Sequence, residues 1–430
     1  TITIVANDEI SVCENGNATT IEIPNNNPSV KNIIIDLSNG LFGCEVGQTL
    51  KIVYQNDNNP FTGNVTLIAG EPTHNPTKDV RLDVNLPQSG FALVAAQGLN
   101  GSLGNVIDQS AGGIDIDAEE FVIGNANKYT PTIIGVGGLK FSPNVKTFTV
   151  AKEGEMMGVF EMDQESNPNP EDWTFGGVET INISGVANAI DAMTLVKPTH
   201  KVAVNVFGEE IENSTWGLGN NTPFSVAPYV QGIQTRGAVV INAGRYVKGS
   251  AADCREAKVY SGSIIAEDAI TIQGYTNITN PISSLKSTVA LKGHTYAQSS
   301  VTADLGINIT EQAWVDGDIT STKGNIVIDN DYQESAWLGE YNGAIEATAG
   351  SISLNQAVET EAGNYLVAQY HGAITAGTDF TMTGLTYTDG AILLSGTATI
   401  NVAPQEGNCV AVSGSLAYQL GDNYRLNLLQ

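Results

Sequence analysis

A chain of 430 residues with 41% hydrophobic side chains is long enough for two or three domains and a substantial core. Only 15% of its residues are charged, and the formal net charge is −27, which argues against binding nucleic acid or docking on anionic membranes. The 46 glycines, with Asn and Thr in almost every segment, mark strands and tight turns rather than helices.

Thr1-Ile2-Thr3-Ile4-Val5 opens the chain as a strand. No basic-then-apolar leader precedes it, as expected where a leader has been cleaved or only the initiator Met removed. Thr20-Ile21-Glu22-Ile23, Thr49-Leu50-Lys51-Ile52-Val53-Tyr54 and Val80-Arg81-Leu82-Asp83-Val84 follow, each with apolar residues on one face. Turn formers such as Asn25-Asn26-Asn27-Pro28 separate them. Residues 1–86 are therefore expected to form an N-terminal β domain, sandwich-like in character. Cys13 and Cys44 lie in neighbouring β segments and are a candidate disulfide. The alternative is that they, with Cys254 and Cys409, are free, half-buried thiols. No Cys-x-x-Cys pair points to zinc.

Residues 87–235 read as a central β-rich region with faint early repeats, as at Phe91-Ala92-Leu93-Val94-Ala95-Ala96. Its densest acidic run is Asp115-Ile116-Asp117-Ala118-Glu119-Glu120. Asp115, Asp117 and Glu119 offer hard oxygen ligands at alternating positions and are candidate calcium ligands. The run lacks a glycine turn, and a solvated polar face is the competing reading. Residues 163–172 suit an exposed linker, and 187–195 is the one candidate for a short helix.

Residues 236–430 repeat a phrase: Gly262-Ser263-Ile264-Ile265-Ala266, Gly317-Asp318-Ile319-Thr320-Ser321, Gly343-Ala344-Ile345-Glu346-Ala347, Gly372-Ala373-Ile374-Thr375-Ala376 and Gly390-Ala391-Ile392-Leu393-Leu394. After a short turn comes a second alternating pair: Ile270/Ile272, Ile326/Ile328, Ile352/Leu354, Phe380/Met382 and Ala398/Ile400. The last four glycines are 26, 29 and 18 residues apart, and Gly262 to Gly317 spans 55, about two such units. One unit cannot bury its own apolar face, so the spacing predicts stacked units with Ile over Ile and Ala over Ala. Glycine is expected to permit a tight bend at the corner. The fold class is thus all-β, a sandwich-like N-terminal region followed by a parallel β-helix, or β-solenoid. An antiparallel sandwich with incidental glycines is the alternative for the repeats.

This Gly-x-Ile-x-Ala, turn, Ile-x-Ile pattern resembles the right-handed parallel β-helix repeats of filamentous-haemagglutinin-type adhesins and, more loosely, of phage tailspikes and fibres. The resemblance covers about 170–195 of 430 residues. It implies a rigid element used for reach and attachment outside a cell or on a virion, and it carries over no catalytic residue. The secretion domain that begins those adhesins has no counterpart in this sequence.

A search for chemistry finds little. His74, His200, His294 and His371 are far apart in sequence, and none stands at metal-ligand spacing. No Gly-x-Ser-x-Gly elbow or phosphate loop occurs. Asp115 with Asp117, or Asp316 with Asp318, are candidate acid pairs for glycoside hydrolysis, at the frequency expected by chance among 46 acidic residues. Trp337, Tyr341 and Tyr370 recur beside the repeat glycine and are candidate glycan-stacking residues; the alternative is an aromatic ladder that stiffens the coils. Asp329-Asn330-Asp331 reads as a turn. No stretch approaches the roughly 20 apolar residues of a membrane span.

The expected function is non-enzymatic: a structural or attachment protein at the virion surface, as a fibre, spike or capsid-decoration subunit. The expectation draws on a chain that starts in structure and closes on 425–430 without an anchor segment. A secreted bacterial adhesin or filament subunit, extracellular or at the cell surface, is the first alternative, and a polysaccharide-degrading β-helix enzyme the second. No cofactor is expected apart from the candidate calcium. Expected partners are further copies of the chain, neighbouring structural subunits, or a cell-surface glycan.

Overall fold

The computed structural model describes residues 1–5, 19–36, 48–69, 80–95, 106–108, 114–123, 132–135, 139–150, 160–162, 177–184, 192–193, 201–207, 209–211, 224–226, 233–242, 259–260, 263–274, 276–293, 295–311, 313–330, 340–356, 368–384, 386–388, 390–402, 416–418 and 426–428. Every regular element among them is a β-strand, and every pairing whose register is resolved is parallel. The protein is an all-β parallel β-helix. Compact packing divides it into two units, Thr1–Glu209 with Ala227–Arg236, and Glu210–Val226 with Gly237–Gln430.

Among its described residues the first unit is built of parallel ladders rather than the antiparallel pairing of a sandwich. Its strands pair in parallel from the start, because alternating apolar residues recur at a spacing that lets one coil sit on the next. One ladder joins Thr19–Ile23, Gln48–Tyr54, the first half of Val80–Ala95, the first half of Ile114–Ile123, and Leu139–Phe141. A second joins Ile2–Val5, Asn32–Asp36, Asn64–Ala69, the second halves of the two long strands, Thr147–Val150, Thr180–Ser184 and Ala203–Phe207. Val80–Ala95 runs through the boundary that the sequence suggested at 86/87. Its register shifts between Leu86 and Gly90, where Pro87 has no N–H to give a ladder. Inside, Ile33, Val65, Phe91, Phe121, Phe148, Ile181 and Val204 lie rung upon rung. The rings of Phe91, Phe121 and Phe148 stack at 5.9 and 5.4 Å. Within the expected helix at 187–195, Ala192–Met193 is instead a strand paired with Glu161–Met162.

In the second unit the predicted register holds. Ile264, Ile282, Val301, Ile319, Ile345, Ile374, Ile392 and Leu416 form one column. Ala266, Ser284, Ala303, Ser321, Ala347, Ala376 and Leu394 form the next, on the same inward face. The second pair stacks likewise, with Ile270, Val289, Ile307, Ile326, Ile352 and Phe380 in a row. From Ile264 to Ile392 the Ile and Val side chains of these rows are almost wholly buried, at about 1.5–3 kcal/mol each. Short strands form two further ladders, one including Thr276–Ile278, Thr295–Ala297 and Trp314–Val315, the other Glu340–Tyr341, Ala368–Tyr370 and Thr386–Thr388.

The spacing between Gly262 and Gly317 conceals one more coil than expected. Ile282 and Val301 each head a coil between Ile264 and Ile319, so three short coils fill the interval rather than two long ones. Asn280 and Ser299 stand where the other coils have glycine, which hides these coils from the repeat phrase. Gly262 itself lies outside the described residues.

The corner glycines also work differently from expectation. Gly317, Gly343, Gly372 and Gly390 are not among the residues with positive φ. They stack on one another so closely that a Cβ on Gly372 would overlap the Gly343 carbonyl, and one on Gly390 the Gly372 carbonyl. Left-handed backbone falls instead at another corner, at Gly274 (φ 88°), Gly293 (φ 64°), Gly384 (φ 76°) and Glu311 (φ 62°). Glu311 is the one non-glycine in that conformation among the described residues.

Two substitutions are therefore expected to act with opposite sign. Gly372→Ala should lower stability by about 1–3 kcal/mol through overpacking against the coil below. Glu311→Gly should raise it by about 1 kcal/mol by relieving a strained φ. Denaturant unfolding of both variants beside the parent checks the pair.

Candidate functional site

A concave feature of the first unit lies where Val80–Ala95, Ile114–Ile123 and Leu139–Phe141 meet. Val84, Ile116 and Phe141 turn inward and are buried, so the alternate residues face out. Lys51, Asp83, Asp115 and Lys140 are register partners in one row across the ladder, and the side chains of Lys51, Asp83 and Asp115 face outward. Asn85 and Asp117 form the next row. Asp83, Asn85, Asp115, Asp117 and Ser142 border an open groove of about 350 Å³.

Asp117 is committed to the wall of this groove. Its Oδ1 accepts from Ser142 Oγ at 2.5 Å and from Asn144 Nδ2 at 2.8 Å, while Ser142 Oγ accepts the Asn144 N–H at 3.1 Å. The carboxylate thereby ties down the turn after Phe141. Asp115, Asp117 and Glu119 follow one another along one strand, about 7 Å apart at each step, too far for one ion to gather all three. Among the described residues no group of three or more His, Cys, Asp or Glu side chains is arranged to hold a metal ion. What the fold brings beside Asp115 is Asp83, one rung away, which sequence reading did not nominate. The signal was present: Leu82-Asp83-Val84-Asn85-Leu86 and Ile114-Asp115-Ile116-Asp117-Ala118 are the same phrase, and they pair residue for residue.

The other acid pair also serves structure. Asp316 accepts a hydrogen bond from the Tyr296 hydroxyl, and Asp318 Oδ1 accepts the Ala344 N–H at 2.8 Å. Asp329 and Asn330 end a strand rather than making a turn, and Asp329 Oδ1 accepts from Asn355 Nδ2 at 2.8 Å. Asp331 lies outside the described residues.

Tyr341 and Tyr370 are not a sugar platform. Each is 1% exposed, and the rings stack on each other at 4.8 Å and 15°. The Tyr341 hydroxyl donates to the Ala313 carbonyl at 3.2 Å. They are register partners in the ladder of Glu340–Tyr341, Ala368–Tyr370 and Thr386–Thr388, one coil apart, as a stiffening aromatic pair. Trp314 packs against Tyr296 at 4.7 Å with the two rings tilted by 54°. Trp337, the four cysteines with the candidate Cys13–Cys44 disulfide, and His74, His200 and His294 lie outside the described residues. His371 occupies a corner and donates its backbone N–H to the Tyr341 carbonyl at 2.8 Å.

Elsewhere in the first unit, Tyr54 forms a buried polar knot. Its hydroxyl pairs with Ser89 Oγ at 3.0 Å and accepts the Gln88 N–H at 2.9 Å, and Ser89 Oγ donates to the Phe61 carbonyl at 2.6 Å. Burial raises the phenol pKa, and the negative charges of Glu119 and Asp117 add to the rise; the bonds to Ser89 and Gln88 oppose it. No family model matches the chain, and no curated protein or solved structure is significantly similar to it.

Because the folded chain holds the Tyr54 proton more tightly than the unfolded chain, this residue's contribution is complete below pH about 10 and is lost as pH rises beyond that value. Tyr54→Phe should cost about 1–3 kcal/mol at neutral pH, by stranding the Ser89 and Gln88 partners, and should make the alkaline loss shallower. Urea melts at neutral pH and above pH 10 measure both effects.

Proposed function

We propose that this chain is a non-enzymatic structural or attachment protein of a virion surface, a fibre, spike or decoration subunit whose β-helix supplies stiffness. The observation that carries the reading is the in-register column from Ile264 to Ile392, in which each coil sets an apolar side chain on that of the coil before. Such a stack is costly to bend, since bending separates rungs that share backbone hydrogen bonds and a packed interior. The carboxylates and aromatics nominated for catalysis or sugar stacking support the same view, because most of those described hold coils together instead. The surface charge keeps densely displayed copies from aggregating. The partners that fit are further copies of the chain or neighbouring structural subunits, with a cell-surface glycan as receptor.

Immunogold electron microscopy with antibodies to the recombinant chain tests the proposal on cultures that produce it. Label on virions or their fibres is the expected result. Label on the bacterial envelope or its filaments replaces it with the surface-adhesin reading, and label confined to the cytosol overturns both. Shortening of capsular or pectin-type polymers by the purified chain would favour the enzymatic alternative.

A further inference from the structure

We infer that Asn342 and Gly343 form a site of spontaneous covalent modification, at which the Asn342 side-chain amide is lost through a succinimide to give aspartate and isoaspartate. The pair closes the strand Glu340–Tyr341 and leads into Ile345–Ala347. Asn342 is exposed. The hydrogen bonds of this corner are made by the amides that follow: Ala344 N–H to Asp318 Oδ1 at 2.8 Å, and Ile345 N–H to the Ala373 carbonyl at 2.9 Å. Among the described residues, neither the Gly343 N–H nor the Asn342 side-chain amide has a hydrogen-bond partner. The attacking nitrogen and the carbonyl it attacks are therefore both unengaged, and glycine places no Cβ beside that nitrogen.

The chemistry needs only water. The Gly343 nitrogen gives up its proton and bonds to Asn342 Cγ, the Cγ–Nδ2 bond breaks, and the amide leaves as ammonia carrying the proton. Water then opens the five-membered ring. Cleavage between Cγ and the Gly343 nitrogen yields aspartate; cleavage between the main-chain carbonyl carbon and that nitrogen yields isoaspartate, whose backbone runs through Cβ and Cγ.

The neighbouring coils mark this corner out. One coil below, the residue before Gly317 is Asp316, whose carboxylate is held by the Tyr296 hydroxyl. One coil above, the residue before Gly372 is His371, which has no side-chain carbonyl. Asn308, Asn325 and Asn355 precede Ile309, Ile326 and Gln356, whose side chains crowd the attacking nitrogen. Asn325 and Asn355 also spend their side chains in hydrogen bonds to Ser351 and Asp329. The consequence is mechanical. A Cβ on Gly343 would overlap the Gly317 carbonyl, so a corner lengthened by one backbone atom has no slack in the stack.

The test is to age the folded full-length chain in mildly alkaline buffer and follow each asparagine by peptide mapping with mass spectrometry, with enzymatic methylation to count isoaspartate. Asn342 should lose its amide several-fold faster than Asn308, Asn325 or Asn355, with isoaspartate in the same peptide. Asn342→Gln should abolish that signal, and the aged parent should melt at a lower temperature than the aged variant. Retention of Asn342 in the folded chain, alongside rapid loss in a urea-unfolded sample, would overturn the inference and show that packing at the corner holds the nitrogen away.

Discussion

Parallel strands stacked in register set each coil on the coil beneath, and the rest of the structure follows from that. The ladder spacing of about 4.8 Å puts every inward side chain directly on its counterpart one coil away. An isoleucine on an isoleucine packs well at that distance, whereas a charge on a like charge does not. The interior is accordingly a set of columns, Ile264 to Ile392 in one and Ile270 to Phe380 in another. The same spacing acts on the backbone at the corners, where Gly343 and Gly372 lie against the carbonyl of the preceding glycine.

Outside, the rung spacing turns polar side chains into ladders of their own. Asn355 donates to Asp329 and accepts from Thr383, Asn205 donates to Asn182, and Gln298 donates to Asn277, each across one coil step. Some charges on neighbouring coils pair with opposite sign, as Lys286 with Glu267 at 2.7 Å and Lys323 with Asp304 at 2.8 Å. These exposed pairs add little stability, but they avoid the repulsion that like charges would meet at the same distance. A carboxylate in such a fold more readily finds a structural partner than a catalytic one, and Asp117, Asp316 and Asp318 illustrate this.

The repeat was legible wherever the corner carried glycine, and it faded where Asn280 and Ser299 replaced it, although the apolar columns ran on unchanged through Ile282 and Val301. In the first unit the strands were legible but their direction was not. Thr20-Ile21-Glu22-Ile23 has the same alternation whether its neighbour runs parallel or antiparallel, because a period of two carries no sense of direction. The aromatic candidates failed for a related reason: recurrence beside a glycine shows that Tyr341 and Tyr370 share a register, but not on which side of the wall they lie.

The amino-acid sequence by itself determined that this protein is all-β and that residues 264 to 400 stack Ile on Ile, because alternation and recurrence are local properties of the chain. Only the tertiary structure decided which distant residues became neighbours. Asp83 came to lie beside Asp115, Tyr54 beside Ser89, and Gly343 against Gly317. Those juxtapositions depend on how many residues each coil consumes before returning to its column, and that count is settled by packing around the whole turn rather than by any one segment.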